Sequence, residues 1–486
     1  MINFISWLFK KTGDDKKIAV FSGDDEISYS DLYSKIKGVS NKINKLIGYD
    51  KNVLLISDNS IFFLISYLSI IGSGNVVIPL KYDKNLDIGK IIIKTDSKNI
   101  FIQEGKKDIL KNHSFLNILS EREIDETKLE KGDIFGEYPE NKLALINYTS
   151  GSSGDPEGVM ITHKNLISNS ESIIEGLSLT KQDKIMVLLP FSYCFGASLF
   201  HTHLRVGGGI VLSNNFLLSN KVLDELLERK CTGIAGVPTT FKTLLGKTRL
   251  KDMKFPDIRC VQQAGGKLES KFILELIDIF GRDNLYIMYG QTEATARLSI
   301  LNPKYLDTKL GSVGNGIKGV KIKIINSEGG LAKIGEEGEI YASGENIMGG
   351  YYKNEKLTKY KIIDGYLKTG DIGIMDSGGF IYITGRKEDF IKSRGYRVDA
   401  KHVEKVVLDI PGVIGAAVVG VKDDMLGERI ILYYSGDKNV DDTLVKEYCS
   451  KNLKNYELPL EIMKLKELPL NRSLKVDYAK LKRGNI

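Results

Sequence analysis

Cysteine is scarce. Cys194, Cys231, Cys260 and Cys449 are the four in 486 residues, and no two of them form a C-x-x-C pair. This argues against a disulfide framework or a cysteine zinc site and points to a reducing, cytoplasmic compartment. The chain has five histidines. His201 and His203 stand two apart, a spacing that suits one face of a strand, where packing or a pocket wall is expected rather than a metal pair. Long runs of one charge are missing as well. The net charge of +7 is spread over short pairs such as Lys10-Lys11 and Lys16-Lys17, so no nucleic-acid partner is expected. There is no internal repeat and no low-complexity tract.

Only one stretch raises the question of a membrane. Asn59 to Leu80 carries no charge for 22 residues, long enough for a bilayer helix. Gly72-Ser-Gly-Asn75 interrupts it, so a helix, a glycine turn and a buried strand are expected in place of a span. Met1 to Phe9 is too short for a secretory segment.

What is present is the composition of a globular protein, 42% hydrophobic and 27% charged, at a length that implies more than one domain. The first 290 residues alternate strand-like and helix-like patterns. Strands are expected at 17–21, 52–57, 76–80, 143–148, 184–189, 209–212, 231–236, 258–262 and 285–288. Helices are expected at 28–47 (with Ser30-Asp31 as N-cap), 60–72, 220–229 and 271–280. That alternation predicts layered α/β structure. From about 310, glycine-punctuated strands dominate, at 320–325, 338–343 and 380–384. A smaller α+β segment then follows, with helices at 400–407 and 441–452 and strands at 413–421 and 429–434. The fold class is therefore α/β, in two domains: 1–387, made of layered α/β subdomains and a β-rich subdomain, and 388–486, a small α+β domain.

The loop after the strand at 143–148 reads Thr149, Ser150, Gly151, Ser152, Ser153, Gly154. Its backbone N–H groups and hydroxyls suit a phosphate, but it lacks the G-K-[ST] ending of a Walker loop. Four segments follow it in order: Tyr289-Gly-Gln-Thr-Glu-Ala294, Tyr366-Leu-Lys-Thr-Gly-Asp371, Gly385-Arg-Lys-Glu-Asp-Phe-Ile-Lys-Ser-Arg-Gly-Tyr-Arg397 and Leu468-Pro-Leu-Asn-Arg-Ser-Leu-Lys475. With these five motifs the chain resembles the AMP-forming adenylating enzymes, a family that includes acyl-CoA synthetases, adenylation domains of nonribosomal peptide synthesis and luciferases. The resemblance runs from about Lys17 to Leu481.

The resemblance implies a two-step reaction. A carboxylate attacks the α-phosphorus of Mg-ATP to give acyl-AMP and pyrophosphate; a pantetheine thiol then takes the acyl group and AMP leaves. It implies that residues Thr149 to Gly154 cradle the β- and γ-phosphates. Glu293 would hold Mg²⁺ and Thr292 would reach the α-phosphate. Tyr289 and Gly290, with Gly265 and Gly266, would line the adenine site. Asp371 and Arg386 would hold the ribose. Lys475 would be the catalytic lysine bridging carboxylate and α-phosphate. Glu388 falls at the hinge of a mobile C-terminal domain, and Lys392 at a lysine that some members use in the second step.

Around the acyl group the resemblance places Phe191, Tyr193, Cys194, Phe195, Gly236 and Pro238. No aspartate follows Phe191, so an uncharged acyl or hydroxyacyl group is favoured over an α-amino acid. Eleven residues follow Lys475, so the thiol is expected in trans, from a separate carrier protein or CoA. Pro190-Phe-Ser-Tyr193 and Gln263-Ala-Gly-Gly-Lys267 resemble stand-alone ligases that load carriers. Two alternatives stay open: a D-alanine–carrier-protein ligase, and a degenerate protein that binds nucleotide or acyl groups without ligating them. The chain also departs from the family pattern. Glu157 stands where lysine is usual and is expected to face solvent or pair with a nearby lysine. Leu474 replaces a glycine, Ala400 a proline and His402 an acid.

Overall fold

Strands buried on both faces read as continuous apolar runs and assemble as parallel sheets under helices. The Leu285–Tyr289 strand is such a run, and it, Cys260–Gln263 and Gly233–Gly236 are buried along their whole length. The computed structural model describes residues 1–83, 87–110, 117–129, 135–149, 156–213, 219–386, 390–423, 425–471 and 473–484. The three strands continue, in parallel, into Lys184–Val187, Gly209–Leu212 and Ile18–Ser22. Antiparallel edges, Asp25–Ser28 on one side and Ser299–Leu301 with Asn315–Gly316 on the other, complete a nine-stranded sheet among the described residues.

A second, seven-stranded sheet has Asn52–Ile56, Val76–Leu80, Asn99–Ile102 and Asn117–Ser120 in parallel. Leu143–Thr149 extends it and pairs antiparallel with Glu157–Thr162, whose far edge takes up Gly350–Tyr351. The helix Ile61–Gly72 is buried on every side, which is why its sequence needs no charge. Its Ser69 hydroxyl bonds to the Ile36 carbonyl of the helix Tyr29–Ile47 at 3.2 Å. No described helix is long and apolar enough to cross a membrane. The Tyr29–Ile47 helix is capped by Ser28, whose hydroxyl accepts from the Asp31 N–H at 3.1 Å. The cap therefore lies two residues before the expected Ser30-Asp31.

The glycine-punctuated segment forms an antiparallel sheet, Lys321–Ile325, Gly338–Ser343, Tyr366–Met375 and Ile381–Arg386. The Tyr366–Met375 strand alternates inward and outward, which turns Leu367, Thr369 and Asp371 into the protein.

The small C-terminal domain has its own core. Phe390–Ser393, Tyr396–Asp399, Val413–Asp423, Gly427–Gly436 and Glu461–Lys464 form its sheet. The helices Ala400–Leu408 and Asp442–Asn452 pack on it through Val403, Val407, Val445 and Cys449. Ala400 is the first residue of its helix, after the cap Asp399, the position that accepts proline most readily. The fold is thus α/β, with a large N-terminal and a small C-terminal domain. The expected boundary between 387 and 388 and the hinge residue Glu388 lie outside the described residues.

Candidate active site

In open α/β sheets, ligands bind beyond the carboxyl ends of the parallel strands. Four adjacent strands end there with expected site residues. Lys184–Val187 leads to Phe191 and Tyr193, Gly233–Gly236 to Pro238, Cys260–Gln263 to Gly265 and Gly266, and Leu285–Tyr289 to Gly290, Thr292 and Glu293. Two glycines make the turns possible. Gly265 has φ +85°, and a Cβ on Gly290 would lie 2.0 Å from the Ala296 carbonyl oxygen. The close return of the chain at Gly290 brings residues 292–297 back over the strand ends.

On the nucleotide side, Tyr289 donates its hydroxyl proton to Asp371 Oδ2 at 2.6 Å, and Arg386 Nε donates to Asp371 Oδ1 at 2.6 Å. The backbone sets this up, because Asp371 and Arg386 are directly paired across antiparallel strands. Asp371 is 3% exposed. Burial, and then the charge of Asp371, push the Tyr289 hydroxyl well above its usual range, so it remains a donor. An ionised carboxylate offers about four lone pairs. With one partner on each oxygen among the described residues, Asp371 keeps acceptor capacity for a diol.

Glu293 Oε1 accepts from the Tyr351 hydroxyl at 2.9 Å, and the Glu293 carbonyl accepts from the Met348 N–H at 2.9 Å. Tyr351 pairs with Val159 at the edge of the second sheet. The strand that follows the Ser/Gly loop is thereby tied to Glu293. No cationic side chain pairs with Glu293 among the described residues, and no group of three or more His, Cys, Asp or Glu gathers there or elsewhere among them. A lone carboxylate suits Mg²⁺, which keeps waters and phosphate oxygens as its other ligands. Thr292 Oγ1 donates to Cys194 Sγ at 3.4 Å. Thr149 ends its strand opposite Glu157, and Ser150, Gly151, Ser152, Ser153 and Gly154 lie outside the described residues.

The acyl side is built on the helix Cys194–Val206, which follows Tyr193 directly and is buried from Cys194 to Leu204. His201 and His203 are on this helix, and not on the expected strand. His203 Nδ1 lies 2.8 Å from the Leu199 carbonyl, and His201 packs edge-on to Phe4 and Phe200. Burial raises the Cys194 thiol pKa and keeps it neutral. Phe191 is a core residue: it is 1% exposed and its ring meets Phe63 and Phe200 at centroid distances of 5.4 and 4.9 Å. Gly236 is likewise a packing position, since a Cβ there would lie 2.9 Å from Thr240. Pro238 opens the helix Pro238–Lys247. Phe195 lies under the guanidinium of Arg297, whose Cζ is 4.5 Å from the ring centroid.

Lys475 comes from the other domain. Its hairpin is closed by the Leu470–Val476 bridge. Asn471 Oδ1 accepts from the Ser473 and Lys475 N–H groups at 2.9 and 3.1 Å. Leu474 is left-handed, with φ +61°, which explains why a glycine is usual at this position. Its carbonyl accepts from the Thr239 hydroxyl of the large domain. The lysine thus reaches the strand ends. Its Nζ is 5.4 Å from the Tyr193 ring centroid, and its Cε is 3.1 Å from where a Cβ on Gly265 would be. Lys392 is not brought here: it is exposed on Phe390–Ser393, and its N–H donates to Glu428 at 2.8 Å.

Three residues of this arrangement are assigned no role from the sequence: Thr239, Tyr351 and Arg297. Each acts through a partner distant in sequence or across an element boundary. Arg297 stands out as a lone cation in the otherwise uncharged run Ala294 to Leu301.

Comparison with known proteins agrees with this geometry. The profile of the family described as AMP-binding enzyme matches residues 9–352, and that of the AMP-binding enzyme C-terminal domain matches residues 402–475. A 2-succinylbenzoate–CoA ligase of Bacillus licheniformis is 33% identical over 341 residues, 70% of this chain and 69% of the relative. Among solved structures, ATP-bound MatB from Rhodopseudomonas palustris superimposes with a TM-score of 0.89 at 25% identity, covering 99% of this chain and 98% of its own. The o-succinylbenzoate CoA synthetase of Bacillus subtilis, in complex with its acyl-adenylate intermediate, gives 0.86 at 25% identity with the same coverage. The chain therefore belongs to the AMP-binding enzyme family and is an AMP-forming acid–thiol ligase.

Proposed function

We propose that this enzyme activates a small carboxylic acid with ATP and transfers it to CoA. The observation that carries the reading is the convergence of Lys475, from the small domain, with Gly265, Tyr193, Thr292 and Glu293 at the strand ends. In the first step a substrate carboxylate oxygen forms a bond to the α-phosphorus and the bond to the β-phosphate oxygen breaks, releasing pyrophosphate. Negative charge concentrates at the α-phosphate, and Lys475 offsets it while holding the attacking carboxylate. Thr292 leaves Cys194 to donate to the α-phosphate. Asp371, oriented by Tyr289 and Arg386, accepts from the ribose hydroxyls. Tyr289, Gly265 and Gly266 form the adenine site, and residues 149–154 hold the leaving pyrophosphate. Glu293 would hold Mg²⁺, and the bound ion would neutralise phosphate charge.

In the second step the CoA sulfur attacks the acyl carbon, and AMP leaves with the electrons of the acyl–oxygen bond. Lys475 has no part in that step. We assign the boundary to 387/388, the pivot to Glu388, and to the exposed Lys392 a place beside the thiol once the small domain has turned. CoA is preferred to a carrier protein as acceptor because the similar proteins are named as CoA ligases or synthetases. A D-alanine ligase is disfavoured by charge, since an α-ammonium would enter a pocket that already holds the buried cation Arg297.

Exchange of labelled pyrophosphate into ATP tests the reading, with a panel that includes 2-succinylbenzoate, D-alanine and simple aliphatic and aromatic acids. One acid should drive exchange and then yield its CoA thioester. ATP binding without exchange for any acid would favour the degenerate alternative; transfer to a carrier protein but not to CoA would overturn the acceptor assignment.

A further inference from the structure

Arg297 is 1% exposed, and its Nε and Nη2 have no hydrogen-bond partner among the described residues. It is the largest fully buried side chain among the described residues. Its backbone is clamped. The N–H donates to Asn169 Oδ1 at 3.2 Å, and the carbonyl accepts from Asn169 and Asn346 side-chain amides at 3.0 and 2.9 Å. The guanidinium therefore leaves the chain in a fixed direction, over the face of Phe195. Around it are Tyr193 and the thiols of Cys194 and Cys260, both of which burial raises and keeps neutral. Among the described residues no carboxylate pairs with it.

Burying a charge without a counter-ion is among the costliest arrangements a protein can hold. A cation–π contact offsets part of that cost but satisfies no N–H donor. Burial draws the guanidinium pKa down to about 10, so Arg297 is still charged at neutral pH. The second cation of this region, Lys475, also acts on Cys194. Two cations thus flank one neutral thiol in the acyl pocket, and the reaction uses only one of them.

We propose that Arg297 receives a second carboxylate carried by the acyl substrate, so that this ligase takes a dicarboxylic acid, one carboxylate reacting at Lys475 and the other paired with the guanidinium fork. The proposal rests on the ligase reading above and specifies its substrate class. Arg297 acts here as a specificity-determining residue, donating through Nε and Nη2 in the bidentate geometry that a carboxylate matches.

The test compares dicarboxylic acids with their monomethyl esters, blocked at the non-reacting carboxylate, with 2-succinylbenzoate and adipate as the probes. The wild-type enzyme should prefer the free diacid by about 100-fold in kcat/KM for exchange, the scale expected for a buried charge pair. Arg297→Gln should bring that ratio close to one. Arg297→Lys, which keeps the charge but loses the fork, should lower it about tenfold. A structural role alone would change the rates with both acids together and leave their ratio intact. A wild-type ratio near one, or a ratio that survives in either variant, overturns the proposal. If Arg297→Gln does not fold, the wild-type and lysine ratios decide. If no acid drives exchange, the ligase reading fails, and thermal stabilisation by diacid against monoester, which needs no turnover, decides Arg297 on its own.

Discussion

Lys475 Cε stands 3.1 Å from the point that a Cβ on Gly265 would occupy, although 210 residues separate them. The position of the lysine thus depends on the absence of a side chain at Gly265, and it is the position that the adenylation role proposed for Lys475 requires. Removing the charge should therefore separate the two half-reactions. Lys475→Ala is expected to reduce pyrophosphate exchange by about 100-fold or more, as loss of a transition-state charge partner does. Thioester formation from supplied acyl-adenylate should stay within a few-fold of wild type. Equal loss in both assays would refute the turning of the small domain.

The lysine is aimed by its neighbour. The Leu474 carbonyl is held by the Thr239 hydroxyl, and the Leu474 side chain packs against the core of the large domain. Thr239→Val should slow adenylation by about 3- to 10-fold, the equivalent of one hydrogen bond, and leave the second half-reaction alone. The left-handed backbone makes a separate prediction. At φ +61°, Leu474→Gly should be more stable than Leu474→Ala by about 1 kcal/mol, the reverse of the order in a helix. Denaturant unfolding of the two variants checks this; alanine equal to or better than glycine would contradict it.

Much of this molecule can be read from the sequence, for identifiable reasons. Short buried strands such as Gly209–Leu212 and Gly338–Ser343 begin and end where apolar runs meet glycine or polar residues, and the expected bounds coincide with them. The helix Cys194–Val206 escapes because it is buried nearly all round. A helix without a polar face has no 3.6-residue alternation to detect, so His201 and His203 look like strand residues. Glu157–Thr162 escapes because its partner lies across the Ser/Gly loop. In the site, residues that terminate parallel strands announce themselves through glycine and hydroxyl spacing. Tyr351 does not, since it reaches Glu293 from 58 residues away, and Thr239 meets Leu474 across 235 residues. Such contacts arise only once the sheets are assembled.

Acid should weaken the fold through its buried histidines. Burial lowers the pKa of His163 to about 4, His201 to about 3 and His203 to about 4. The unfolded chain takes up their protons near pH 6.5, while the folded chain holds these rings neutral to much lower pH. The unfolded state therefore binds more protons, and stability rises with pH through this window. It is fully present above about pH 6.5 and is lost as pH falls toward 4 to 3. At pH 5 each ring contributes a loss of about 2 kcal/mol. The urea midpoint should drop clearly between pH 7 and pH 5, and His203→Gln should lessen the drop. A midpoint flat across that interval would refute the assignment.

Glu157 poses the last question, because it stands where lysine would favour a phosphate. Its Oε1 accepts from Asn354 Nδ2 at 3.1 Å, and its Oε2 lies 3.9 Å from Lys94 Nζ, with the glutamate side chain 19% exposed. This is the pairing with a nearby lysine expected from the sequence. Lys94 also bonds to the Pro156 carbonyl, so the pair fastens the strand after the Ser/Gly loop to the helix Ile88–Thr95. A carboxylate engaged in this way adds no repulsion that its removal would relieve. Glu157→Lys should therefore leave the KM for ATP undiminished and lower the unfolding midpoint, because it places a second ammonium beside Lys94 and leaves Asn354 without its acceptor. The cost should be about 1–2 kcal/mol, for a half-buried hydrogen bond and a like-charge contact. A clear fall in KM would mean instead that the residue faces the nucleotide and that this loop has given up a phosphate contact.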